Sequence, residues 1–573
     1  MPDVEIDNLT LLLLLAAVSL LLYDRFAKPA ALVHPLLLGK QAEVAPVRKE
    51  GESGVYRSFA TGHGAPLIVR PASGLKTVRD VIGGSKGGDG AQRVILDTPL
   101  TDTALAELTR LLPLGLSSLF PSLASSASPI LVLLPPNPST SLPLLLLSLA
   151  SSPDQPLIVL PNPRVLTAAL EATAHAKPGL VVVHESLADG VVEQVMEESG
   201  GCGVLVVGDT GEKYGGLASS AGSHGVVVRF WDEVWDAGEQ QTADLQAPQP
   251  NDIHSFFYSS ADIGAEPTIT KFTHLNFTAG IAAFLSSFPA DKRPSAHKND
   301  VVASAEPLTT PVGMSIALAS IWSVGAGFSL IRPDSGSWVK SNTADPLDDL
   351  RRLSAVGKTK PSVLIITKED HLALTRALHK AYRSSSLAGW AMNAKSSDIQ
   401  AGYIARKGIW DKLVWSGLRN DALDGIPGDS LRSLIVIGDT PSSSAIAWST
   451  ALLSLPTARL FSSPFSAGPV LSSHFYDIQS SSSHLISPPS AEGETSHTGA
   501  PGCNVEVVLR GGRPKEGTRD GSEVAMEGKL YARGPGLGAV LGKEGEGANE
   551  GWVQVAQRAG VRTNGTFVIL SKE

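Results

Sequence analysis

The sequence predicts an α/β protein of two successive α/β sheet subdomains and a small β-barrel subdomain, preceded by an N-terminal membrane-anchor helix. From about Leu75 to Phe230, apolar runs such as RVILD, PILVLLP, PLIVLP, GLVVVHE and GVLVVG recur between helix-length segments. Short β-rich runs in that rhythm argue for parallel strands buried on both faces. The C-terminal runs NVEVVLRG, EGKLYARG, GWVQV and GTFVILS are separated by glycine turns instead, as in a small barrel or distorted sheet.

The anchor rests on LTLLLLLAAVSLLLY, Leu9 to Tyr23, which carries no charge. As a helix it is about 22 Å long, short of a ~30 Å hydrocarbon core and nearer the ~27 Å of a thin endoplasmic-reticulum bilayer. A cleavable signal begins with positive charge, whereas Asp3, Glu5 and Asp7 precede this run. Arg25, Lys28, Lys40, Arg48 and Lys49 follow it. That asymmetry predicts a signal anchor with a cytosolic globular part. A leucine-rich core helix is the competing reading.

The expected segments are residues 1–28 (anchor), 29–250 (first α/β subdomain), 251–479 (second) and 480–573 (serine-rich linker and barrel). His34 to Ser58 reads as an extended, polar lead-in. Leu116 to Pro156, rich in Leu, Ser and Pro, is expected to be partly irregular, and Ser480 to His497 mobile. With 43% hydrophobic and 18% charged residues the chain has a folded composition. Its 47 basic and 56 acidic residues give a net charge of −9 without a basic stripe, which argues against a nucleic-acid partner. Cys202 and Cys503 are too few for a disulfide framework or a metal knuckle. Gly357-Lys358-Thr359 mimics a Walker A ending, but Arg352 occupies the required upstream glycine position. Gly534–Gly538 (GPGLG) lies among late strands and is no dinucleotide fingerprint.

Four blocks carry a resemblance. Phe257–Asn276 reads FYSSADIGAEPTITKFTHLN, similar to Y-T-S-G-T-T-G-x-P-K-G followed by T-H-x-N, with one residue inserted before Pro267. Asp300–Ala326 carries D…EPLTTPVG…GA, similar to D…PLxHxxG…GA. Trp410–Val414 (WDKLV) and Arg432–Pro441 (RSLIVIGDTP) form the third block, and Glu527–Lys572 the fourth. In order and spacing these resemble the adenylate-forming (AMP-binding) superfamily, and the WDKLV block resembles its long-chain fatty acyl-CoA synthetases. The resemblance implies a two-sheet α/β domain plus barrel, in which ATP activates a carboxylate and coenzyme A takes the acyl group. It also implies nucleotide-site positions at Ser259, Ser260, Gly264, Gly438, Asp439, Gln557 and Lys572.

The same alignment places unsuitable residues where the chemistry sits. The loop glycine is Ala261, a hydroxyl pair has become Asp262 and Ile263, and the loop Lys-Gly is Thr268-Ile269. A phosphate loop needs free backbone N–H groups and glycine's φ range. A carboxylate ~4 Å from a phosphate charge at an effective dielectric near 20 is repelled by ~4 kcal/mol, roughly three decades of affinity. The Y-G-x-T-E block, whose glutamate helps hold Mg²⁺, maps onto Arg459–Ala467 (RLFSSPFSA), and no Asp or Glu lies between Asp439 and Asp477. Gln557 replaces the ribose-binding aspartate, and Lys572 the hinge arginine. Because Glu573 is the last residue, the family's C-terminal lid is expected to be missing.

The expectation is therefore a membrane-anchored pseudoenzyme of fatty-acid metabolism, with no catalytic residue, no metal and no cofactor. Its expected partners are the lipid bilayer, fatty acid or acyl-CoA, and other acyl-CoA synthetases. Its expected place is the endoplasmic reticulum or lipid droplet. The alternative is an active ATP- and Mg²⁺-dependent long-chain fatty acid–CoA ligase.

Overall fold

The computed structural model describes residues 7–22, 31–83, 92–121, 123, 128–198, 202–208, 225–242, 246–259, 266–295, 300–322, 326–331, 338, 347–351, 360–404, 406, 408, 410–423, 430–478, 485, 488–490, 494–512, 524–542 and 551–570. Among these, three sheets form. In the eight-stranded sheet, Ile253–Tyr258, Leu157–Val159, Ile130–Leu133, Leu180–His184, Gly203–Val207 and Val228–Phe230 lie side by side and parallel. Ile269–Thr273 and then Ala539–Leu541 extend its Ile253 edge antiparallel. The central strands are buried on both faces, which is why they read as unbroken apolar runs.

The nine-stranded sheet has a parallel core of Arg93–Ile95, Gly327–Leu330, Val301–Ser304, Val363–Ile366, Ser433–Ile437 and Thr457–Phe461. Thr98–Leu100 closes one edge; Leu471–Ser472 and Ala500–Pro501 close the other. One apolar core lies between the two sheets and takes in strand residues of both, such as Val132 and Phe257 on one side and Phe328 and Ile435 on the other. Helices Asp102–Leu119, Pro138–Ala150, His274–Ser286 and Pro311–Trp322 contribute to it. Helices enclosed this way have no wet face to mark, so Pro311–Trp322 (PVGMSIALASIW) is apolar or small all round.

Leu116 to Pro156 is more regular than expected. It holds the end of one helix, the strand Ile130–Leu133 and the helix Pro138–Ala150. Asn137 caps that last helix through the Thr140 amide at 3.1 Å, and Pro138 sits in the first turn, where no N–H is needed. Burial, not amphipathic periodicity, makes this segment helical.

In the six-stranded antiparallel sheet the order is Ala42–Val44, Tyr56–Ser58, Glu506–Arg510, Val524–Arg533, Val553–Arg562 and Phe567–Ile569. Its two ends approach one another: the Gln41 amide donates to Asn564 O at 2.7 Å, so the sheet curls toward a barrel. The supposed lead-in His34–Ser58 thus supplies two strands. The linear boundaries at 250 and 479 do not coincide with the sheets either. Strands after 251 complete the first sheet, the hairpin at 93–100 joins the second, and Ala539–Leu541 crosses from the C-terminal segment to the first. Open strand edges need partners, and the partner nearest in space need not be nearest in sequence.

Part of the expected mobile connection is packed. The Ser443 amide donates to Glu494 O at 2.8 Å, Thr495 bridges Ser442, and Ser496 and His497 are buried. Cys202 and Cys503 are both buried free thiols. Helix Asn8–Leu22 forms where the anchor is expected, capped by Asp7, whose carboxylate accepts from the Thr10 amide at 2.7 Å. Leu9, Leu12 and Leu15 face solvent, all more than 60% exposed. No helix among the described residues is long and apolar enough to cross a membrane.

Candidate functional site

Strand Ile253–Tyr258 ends at the loop expected to resemble a phosphate loop. The loop leads into the antiparallel strand Ile269–Thr273 and only then into helix His274–Ser286, so the order is strand–loop–strand–helix. Ser259 closes the neck. Its amide donates to Thr268 O at 2.9 Å, and its hydroxyl accepts from the Thr268 amide at 3.2 Å. Thr268, at the position of the resembled lysine, is thereby tied into the neck. Ile269, at the glycine position, is a strand residue between Tyr258 and Leu541. Ser260 and Gly264, with Ala261, Asp262 and Ile263, lie outside the described residues.

Thr273 and Asn276 form a capping box that starts the following helix. Asn276 Nδ2 also donates to Pro535 O and Leu537 O, each at 2.9 Å, which draws the GPGLG loop onto the helix start. That loop is a packing device: a Cβ on Gly536 would stand 2.0 Å from Asn504 Nδ2. His274 is buried and accepts the Val78 amide at Nδ1, 3.3 Å. Burial and the charge of Arg79 push its pKa down to about 4, so it is a neutral packing group.

Gly438 and Asp439 follow strand Ser433–Ile437. Gly438 has φ +97°, and its amide donates to Leu460 O at 3.0 Å. Asp439 is exposed. Thr440 turns inward, its hydroxyl 2.7 Å from that of Thr498 and accepting from the Ile569 amide at 3.2 Å. Ile569 pairs in turn with Ala559, two residues from Gln557. Gln557 is exposed at a bulge, where Gln557 and Arg558 oppose Lys529 alone. The fold therefore brings Gly438–Asp439 and Gln557 to one junction of the nine-stranded sheet and the barrel. Ser259 stands at the end of the other sheet, and Lys572 lies outside the described residues.

Arg459–Ala467, the segment that maps onto the family's Mg²⁺ block, contains a closed turn. Ser466 Oγ accepts from the Ser463 amide and donates to Ser463 O, both at 3.0 Å, while Ser463 Oγ accepts from the Phe465 amide at 3.3 Å. The Ala467 amide donates to Gly536 O at 2.9 Å, so the turn packs on the GPGLG loop. The hydroxyls of Ser463 and Ser466 are engaged inside the turn.

Sequence reasoning missed a buried ionic cluster behind this turn. Asp477 Oδ2 lies 2.6 Å from His497 Nε2, 3.3 Å from Gln41 Nε2 and 3.5 Å from Arg459 Nη2. Burial alone raises a carboxyl pKa, yet His497 and Arg459 hold that of Asp477 well below the ordinary range. The available signal was an arginine inside the otherwise apolar strand TARLF. The cluster ties the lead-in, the second sheet and the connection before the barrel, with no solvent access for chemistry.

Two mainly parallel sheets enclosing a helical core, with a curled antiparallel sheet beside them, make a fold shared with acyl- and aryl-CoA ligases of known structure. The chain is similar to a long-chain-fatty-acid-CoA ligase from Archaeoglobus fulgidus, at a TM-score of 0.57 and 13% identity, covering 88% of this chain and 86% of that one. It is also similar to a benzoate CoA ligase from Burkholderia xenovorans LB400, at 0.54 and 17%, covering 86% and 79%. A third likeness, at 0.56 and 11% over 86% and 77%, is to an anthranilate CoA ligase in complex with anthranoyl-AMP. What is shared at these identities is the fold. No protein-family model and no curated protein sequence matches the chain.

Proposed function

We propose that this chain is a degenerate, long-chain acyl-CoA synthetase-like member of the adenylate-forming superfamily. It associates with an intracellular membrane through helix Asn8–Leu22 and has lost ligase activity. In this reading it serves lipid metabolism at the endoplasmic reticulum or lipid droplet, as an acyl-lipid binder or as a scaffold for active synthetases. It needs neither ATP nor Mg²⁺.

The observation that carries the loss of activity is the stretch 440–476, which holds no Asp or Glu. Mg²⁺ seeks carboxylate and phosphate oxygens. In the turn at the resembled position the Ser463 and Ser466 hydroxyls are already bonded to its own backbone. Thr268 and Ile269 support the same reading, since one closes the loop neck and the other belongs to a strand. Asp262 and Gln557 add a repulsive charge and a weaker ribose partner.

An active ligase is the second reading, favoured by the open Gly438–Asp439 corner at a strand end, where a Cβ on Gly438 would meet nothing within 4 Å and Asp439 is exposed. Purified protein incubated with ATP, Mg²⁺, palmitate or oleate, and CoA discriminates the two. We expect no acyl-CoA above the no-enzyme control. Robust ATP-dependent formation, abolished by Ser260→Ala or Gly264→Val, promotes the ligase.

A further inference from the structure

Residues 31–41 follow the apolar helix in sequence and lead into the barrel, pinned at both ends. The Leu32 amide donates to Gly402 O at 2.8 Å, Val33 is buried, and Gln41 binds Asn564 O and Asp477. Between these pins the short helix Pro35–Gly39 is held by His34, whose Nδ1 accepts from the Leu36 amide at 3.3 Å. A segment fixed this firmly nevertheless turns Leu36 and Leu37 outward, 79% and 62% exposed. Leu32 and Phe59 beside them are 42% and 51% exposed. All four line the mouth of a groove of about 860 Å³ that also holds Lys40. The Lys40 ammonium stands 5.7 Å over the Phe59 ring, a cation above an apolar floor.

Two features choose the occupant. The first is reach. Nine residue steps separate Leu22 from Ala31, and an extended chain covers at most ~3.6 Å per residue, so Ala31, which lines the groove, lies within about 32 Å of the end of the apolar helix. The second is chemistry: leucines and a phenylalanine edged by a lysine match the layer where acyl chains meet phosphate headgroups. One membrane signal binds reversibly, and stable attachment takes two.

We propose that the groove mouth, Leu32, Leu36, Leu37 and Phe59 with Lys40, is a second membrane-docking face that seats the globular part on an anionic bilayer surface. This rests on the reading of helix Asn8–Leu22 as membrane-embedded, and it adds an orientation: the barrel side, with the Pro35–Gly39 turn, faces the lipid.

The test uses the full chain carrying a nitrobenzoxadiazole label on Leu37→Cys, with a label on Val227→Cys as control. Val227 is 40% exposed beside the far edge strand of the eight-stranded sheet, and the two native cysteines are buried. Vesicles are phosphatidylcholine with phosphatidylserine, with and without nitroxide-bearing lipid. We expect a blue shift and quenching at position 37 but not at 227. Leu36→Ser with Leu37→Ser lowers the vesicle partition coefficient about tenfold, with the circular dichroism spectrum retained. Flotation of the labelled protein without quenching at 37 overturns the docking face while leaving the helix reading intact. Flotation unaffected by Leu12→Arg with Leu15→Arg overturns the helix reading, and quenching at 37 in that variant still supports the face. A blue shift at 37 already present without lipid means that the apolar helix or a second copy covers the mouth, and it overturns the proposal.

Discussion

Arg432 grips Asp300 with two near-parallel bonds, Nε to Oδ1 at 2.8 Å and Nη2 to Oδ2 at 2.6 Å, joining the second and third sequence blocks across the nine-stranded sheet. Ser362 adds a third bond to Oδ1 at 2.7 Å. Burial opposes the charge, yet these donors hold the Asp300 carboxyl below its ordinary range. Arg432→Leu leaves a buried carboxylate short of its cation, and we expect a loss of ~3–5 kcal/mol in urea unfolding. Asp300→Asn in that background recovers part of the loss, because the stranded charge is gone. Additive losses in the double variant would show that the pair is not coupled.

Buried neutral histidines make the fold acid-sensitive. His254, His274 and His371 are fully buried. Burial, aided by the neighbouring His274, drives His254 well below its ordinary value; burial with Arg79 takes His274 to about 4, and burial with Arg459 takes His371 to about 3. A lowered folded pKa means that the unfolded chain binds more protons below pH ~6.5, so stability is full above that pH and falls toward pH 4. Each group contributes up to ~1.4 kcal/mol per pH unit in that window. The urea midpoint should drop between pH 7.5 and 5, and His371→Gln should flatten the slope. A midpoint that rises on acidification would contradict this account.

Asn276 caps its helix and holds the GPGLG loop at once. Asn276→Ala removes the reciprocal cap and strands two loop carbonyls, at a cost of about 2 kcal/mol. Urea denaturation reads this directly, and a change under ~0.5 kcal/mol would mean that water replaces the amide.

On the proposed reading, Asp262→Thr would relieve the repulsion between a carboxylate and a phosphate, ~4 kcal/mol for charges ~4 Å apart at an effective dielectric near 20. Calorimetric titration should find ATP binding strengthened in this variant over the unmodified chain, while acyl-CoA formation stays absent. Defects in a cooperating site are not repaired one at a time. Turnover restored by this single change would refute the multiple-defect reading.

Deleting Leu9–Tyr23 should move the protein from the membrane to the soluble fraction at high salt, as read by fractionation of cells expressing it. The exposed leucines of Asn8–Leu22 motivate the expectation, since each contributes roughly 1.5–3 kcal/mol when fully buried. Retention on the membrane would assign attachment to the Pro35–Gly39 face or to a partner.

The sequence by itself determined the α/β class, the apolar first helix and the glycine-turned last strands. These are local matters of period, charge and turn residue. Tertiary structure decided which strand completes which sheet: Ala539–Leu541 crosses to Ile269–Thr273 because an open edge there needed donors and acceptors. It also made Leu116–Pro156 regular, since burial between two sheets supplied an order that its Leu-Ser-Pro composition does not announce. Of the candidate site, Ser259 could be placed by motif, but its engagement with Thr268 is a hairpin contact that no spacing reveals. The Asp477–His497–Arg459 cluster joins residues 459, 477 and 497 with Gln41, and only folding brings such distant charges within 3.5 Å. Side-chain periodicity records what each residue prefers to face, while long-range pairing depends on which polar groups are left without water once the chain closes.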